Sequence, residues 1–78
     1  MVSDAEAKFA ANVRRVRLEK GMTQDQVADA ADMDAAEIRR FESNRRHPGV
    51  DVIARLANAL GVPVCELFEG ATKPHRKR

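Results

Sequence analysis

Apolar residues recur every three or four positions through most of the chain, and the positions between them are largely polar. Phe9, Val13 and Val16 fall on one side of a helical repeat. Ser3-Asp4-Ala5-Glu6 ahead of them has the S-x-x-E form of a capping box. This predicts a first helix that Gly21 stops, because glycine accepts the left-handed conformation after a last turn. Thr23 with Gln26 repeats the capping pattern and opens a second helix burying Val27, Ala28 and Ala31. Asp34 with Glu37 opens a third, with Ile38 and Phe41 inward. Pro48-Gly49 breaks the chain before a fourth helix, where Val50, Ile53, Leu56, Ala57 and Leu60 form the expected buried stripe. Gly61 ends it, and Pro63 suits the first turn of a short fifth helix with Val64, Leu67 and Phe68 on its apolar side. No stretch alternates with period two. The expectation is an all-α, compact five-helix domain over residues 1–69. The remainder, 70–78 (GATKPHRKR), lacks apolar periodicity and is expected to be a disordered basic tail.

Composition narrows the class. A chain of 78 residues gives one small domain, and so small a core often gains stability by pairing with a second copy. Apolar residues make up 44% and charged residues 33%, a globular balance rather than a disordered one. No long apolar run and no charged-then-apolar leader occurs, so neither a membrane span nor export is expected. The single cysteine, Cys65, excludes an internal disulfide and fits a reducing, cytoplasmic setting.

Net charge is only +2, but it is unevenly spread. Residues 21–34 carry four aspartates and no base, whereas residues 35–49 carry four arginines against two glutamates. Nucleic-acid binding, if present, must rest on a local basic face rather than on overall charge. The third helix offers one. Successive residues turn by about 100°, which sends Ile38 and Phe41 inward and Ala36, Arg39, Arg40 and Ser43 outward. A guanidinium presents a planar fork of donors that matches the two acceptors on a guanine edge. Gln24 stands in the first turn of the second helix, where free backbone N–H groups favour a phosphate. Arg45 and Arg46 follow the third helix as a second basic contact. An isolated helix with arginines is usually just solvated surface. Backbone clamps on both sides of it point instead to a reading helix.

At this point the chain resembles the Cro/CI-type, or Xre-type, helix-turn-helix family of bacterial and phage regulators. The residues carrying the resemblance are RLEKGMTQDQVA (17–28), Ile38 to Glu42, NRRHP (44–48), the LANALGV of the fourth helix and Glu66-Leu67-Phe68. The resemblance implies a lambda-repressor-like fold, with helices 2 and 3 as the helix-turn-helix, helix 3 in the major groove, and a dimer on a two-fold or near two-fold operator. By position it makes Thr23, Gln24 and Arg45 phosphate contacts. Ala35, Ala36, Arg39, Arg40, Ser43 and Arg46 become base-facing or groove-facing. It also implies an ion pair between Arg17 and Glu42. Three departures stand out. Asp32 and Asn44 occupy turn positions that are usually glycine, and Ala35 and Ala36 occupy positions that usually bear polar readers. Weight therefore moves to Arg39, Arg40, Arg46 and DNA shape.

Other chemistry finds little footing. His47, His75 and Cys65 lie in separate places and make no zinc set. No nucleophile–base set or glycine-rich phosphate loop appears, so neither catalysis nor a cofactor is expected. Val62, Val64, Cys65, Leu67 and Phe68 form the candidate dimer patch, with Cys65 an inert thiol near it. The expected function is a sequence-specific transcriptional regulator, akin to the small controllers of restriction–modification systems, binding double-stranded DNA as a homodimer. Polymerase recruitment and promoter blocking both stay open. The rival reading is a protein-binding module such as an antitoxin or coactivator, whose acidic segment 21–34 would face a basic partner, for instance a toxin.

Overall fold

The computed structural model describes residues 4–70. Ser3 of the first capping pair and the tail residues 71–78 lie outside them. Helix α1 spans Asp4–Glu19, α2 Gln24–Ala31, α3 Ala35–Glu42 and α4 Val50–Leu60. The fifth element, expected as a short fifth helix, is instead a 3-10 helix over Val64–Phe68. Its bonds close over three residues, from the Glu66 N–H to the Pro63 carbonyl (3.0 Å) and from the Glu69 N–H to the Glu66 carbonyl (3.4 Å). Five residues behind a proline leave no room for a ladder of four-residue bonds, and the tighter turn is the usual outcome at this length. Among the described residues the fold is therefore four α-helices and one 3-10 helix, with no strand.

Helix ends follow local chemistry. The Thr23 hydroxyl oxygen accepts from the Gln26 N–H (3.0 Å), and Gln26 Oε1 accepts from the Thr23 N–H (2.8 Å). This reciprocal cap satisfies two N–H groups the helix leaves unpaired. At α3 the pair is looser, with Glu37 Oε1 accepting from the Asp34 N–H at 3.5 Å. Gly21 ends α1 with φ of 68°. Asp32 and Asn44 adopt the same left-handed region, at φ of 60° and 61°. Short polar side chains tolerate that region better than most, so both turns keep their shape without glycine.

One core joins all five elements. Phe9, Val13 and Val16 of α1 meet Val27 of α2, Ile38 and Phe41 of α3, Leu56 and Leu60 of α4, and Leu67 of the 3-10 helix. Each large apolar side chain buried in this way contributes about 1.5–3 kcal/mol. Two expectations change. Val50 is 83% exposed: it is the first residue of α4, beyond the region that α2 and the 3-10 helix cover. Leu67 is fully buried, so it closes the monomer core and leaves the candidate dimer patch.

Two polar fixings were invisible in the sequence. Buried Asn12 donates from Nδ2 to the carbonyls of Leu67 (3.1 Å) and Glu69 (2.9 Å), tying the C-terminal segment to α1. Arg55 of α4 reaches the C-terminus of α2, donating to the Ala31 carbonyl (3.0 and 3.2 Å) and the Asp32 carbonyl (2.7 Å). A cation there satisfies carbonyls the helix leaves open and complements its dipole. It pins the turn that sets α3 against α2.

Candidate nucleic-acid interface

Helix α3 is anchored from one side only. Ile38 and Phe41 are buried, while Arg39, Arg40 and Ser43 are exposed and Ala36 is half-buried. Ala35 is also half-buried, but it packs on the core, so only part of its methyl faces outward. The short amphipathic helix thus presents its arginines to solvent because its apolar residues leave it no other orientation.

Its position is fixed by a buried polar cluster. Arg17 donates from Nε to Glu42 Oε2 (2.7 Å) and from Nη2 to Glu42 Oε1 (3.1 Å). The side chains are only 10% and 5% exposed. Arg17 Nη1 also donates to the Met22 carbonyl (2.9 Å), and Gln24 Nε2 donates to Glu42 Oε1 (3.1 Å). One carboxylate therefore joins α1, α2 and α3. The share taken by Gln24 was not foreseen: its amide, expected to serve a phosphate, is half committed to Glu42. An amide nitrogen has two hydrogens, and one stays available. The Thr23 hydroxyl is in the same position, accepting in the cap with its own hydrogen still to give.

Around this anchor lies an open cleft of about 630 Å³. Ala36, Arg39, Arg40 and Ser43 of α3 form one part of its lining, with Gln24 and Arg45 beside them. Arg14 of α1 completes the basic rim. Sequence reasoning missed Arg14; the available signal was its position one turn before Arg17 on the same helix, which places it beside a residue that faces α3. Glu42 is the only carboxylate in the lining, and Arg17 already neutralises it. The cleft is therefore electropositive. Arg40 lies back along α3, donating from Nη1 to the Ala36 carbonyl (3.2 Å). A single exposed hydrogen bond of this kind yields readily to a better acceptor.

Arg46 does not share this cleft. It lines a smaller one of about 190 Å³ with Asp32, Glu37 and Arg55, where two carboxylates stand among two arginines. His47 packs edge-on against Phe9, with ring centroids 5.1 Å apart, and lies 6.4 Å from Phe68. Of the dimer candidates, Val64 and Cys65 are exposed, and Val62 and Phe68 are half-buried. Among the described residues no group of three or more His, Cys, Asp or Glu could hold a metal ion. No described helix is long and apolar enough to cross a membrane.

A capped helix pair with a fixed turn, presenting a basic outer face beside open N–H donors, defines a helix-turn-helix domain of the DNA-binding kind. The family model described as Helix-turn-helix matches residues 13–67, and the chain belongs to this Xre-type family. Over 64 residues it is 36% identical to the uncharacterized HTH-type transcriptional regulator y4dJ of Sinorhizobium fredii, covering 82% of this chain and 83% of that protein. Its fold is similar to the restriction–modification controller protein C.AhdI from Aeromonas hydrophila (TM-score 0.77, 31% identity), over 80% of this chain and 94% of that one. It is similar too to the controller C.Esp1396I, whose tetramer has been solved in complex with its natural 35 base-pair operator (TM-score 0.80, 29% identity), over 87% and 90% of the two chains. The chain is a helix-turn-helix transcriptional regulator, not an enzyme.

Proposed function

We propose that this regulator binds an operator in duplex DNA as a homodimer, with each α3 in one of two successive major grooves. Such grooves lie about 34 Å apart on one face of B-DNA. Phosphate contacts from Thr23, Gln24 and Arg45 set the register, while Arg39 and Arg40 read base edges. Arg46, in its separate cleft, meets the backbone or an adjacent base. The observation that carries this reading is the outward arginine face of α3 on a helix whose seat is locked by the buried Arg17–Glu42 pair. The operator-bound C.Esp1396I tetramer lends support to an assembly of more than one copy. Val62, Val64, Cys65 and Phe68 supply the dimer surface. Control follows from occupancy and dimer concentration.

Selection from random duplexes, followed by footprinting, tests the proposal. The expected product is a motif with two related half-sites. Sedimentation of the free protein should show a dimer at micromolar concentration. A monomer that binds one site singly, or a protein that enriches no motif, contradicts it.

A further inference from the structure

Among the eight arginines of the described residues two groups of three stand apart, besides Arg40, which bonds its own helix, and Arg46, which lines the smaller cleft. Arg15, Arg17 and Arg55 are consumed by the fold: Arg15 by Glu19, Glu69 and Asn12, Arg17 by Glu42 and Met22, Arg55 by the end of α2. The guanidinium groups of Arg14, Arg39 and Arg45 have no hydrogen-bond or ion-pair partner among the described residues, yet all three residues line one cleft. Arg14 is the odd member, because it belongs to α1 and not to the helix-turn-helix or its loop. Helix pairs form at spacings of three and four; here those neighbours are Ala10, Ala11, Arg17 and Leu18, none of them acidic. Nothing on its own helix neutralises Arg14, and the one carboxylate of the cleft already accepts two bonds from Arg17 and one from Gln24.

We infer that Arg14 is a further phosphate-binding residue, gripping the sugar–phosphate backbone of the duplex from α1 at the wall of the α3 cleft. This rests on the proposed DNA-binding function. Arg14 enters the cleft lining from α1, beside Gln24 and Arg45, whereas the outward-facing arginines Arg39 and Arg40 belong to α3. The walls of a DNA groove are phosphates, and a lone guanidinium there supplies affinity without sequence preference. The contact makes the grip on DNA three-sided: α1, the start of α2 and the loop after α3.

The test compares wild type, Arg14→Gln, Arg14→Lys and Arg15→Gln. Affinity is measured against salt concentration on a selected duplex and on a random-sequence duplex. Each phosphate contact contributes about 0.9 to the slope of log affinity against log salt. Arg14→Gln is expected to weaken both duplexes by the same factor and to make the slope shallower by about that amount. Arg14→Lys should keep the slope. Arg15→Gln should leave it unchanged, since that guanidinium is already paired. The melting temperature of Arg14→Gln should match wild type, which separates lost contact from lost fold. A wild-type slope in Arg14→Gln, or a loss confined to the selected duplex, overturns the assignment. Wild-type protein that binds neither duplex overturns it together with the reading beneath it, and that failure is visible before any variant is made.

Discussion

Arg17 and Arg40 are the same residue in two environments, and the contrast shows how this chain divides its positive charge. Arg17 is buried, doubly hydrogen-bonded to a carboxylate and further tied to a carbonyl. Arg40 is exposed and held only by one bond to its own helix. The first spends its charge inside the molecule to seat α3; the second leaves its charge open to solvent. The lesson is that charge totals say little about binding. What matters is which cations the fold has already neutralised.

Breaking the buried side of this comparison should have the largest effect. Arg17→Ala leaves the Glu42 carboxylate buried without a counter-charge and should destabilise the domain by about 3–5 kcal/mol, read by urea denaturation. Replacing both partners with apolar residues, Arg17→Met with Glu42→Leu, should recover most of that stability, because no lone charge remains. Arg55→Ala removes a charged donor from three carbonyl contacts and should cost about 1.5–3 kcal/mol, with α2–α3 turn amides exchanging faster. On the free side, Arg40→Ala should leave the melting temperature unchanged. It should cost about 1–3 kcal/mol on the selected duplex and blur preference at one base position. Arg45→Ala should weaken all duplexes evenly instead. Smallest of all is Arg15→Ala, whose half-exposed ion pairs with Glu19 and Glu69 should be worth less than about 1 kcal/mol.

Much of the fold was legible along the chain because it is written in local signals. The reciprocal cap of Thr23 and Gln26 depends on residues three apart, and the inward pair Ile38 and Phe41 depends on helical spacing. The exposed arginines of α3 follow from that same spacing. What stayed hidden depends on residues far apart in sequence. Arg55 caps a helix more than twenty residues away, and no local pattern marks it. Asn12 lies on the buried side of α1, where a period count offers no reason for an amide; its reason is the pair of carbonyls at residues 67 and 69. Apolar spacing at 64, 67 and 68 predicts a short helix but suits an α-helical or a 3-10 turn equally over so short a run. Val50 continued the stripe of α4 in sequence but lies at its uncovered end. Arg14 was hidden because its place in the cleft depends on how α1 meets α3, and the share of Gln24 taken by Glu42 because it depends on how α2 meets α3.

The outward face of α3 is proposed to enter the major groove. Guanine N7 lies in that groove, so methylation of N7 throughout a selected duplex, followed by separation of bound from free DNA, tests the claim most directly. Interference is expected at guanines in two half-sites about one helical turn apart, with Arg40→Ala becoming insensitive to one guanine per half-site. Binding that N7 methylation leaves untouched, or that the same guanines disturb equally in Arg40→Ala, would contradict it.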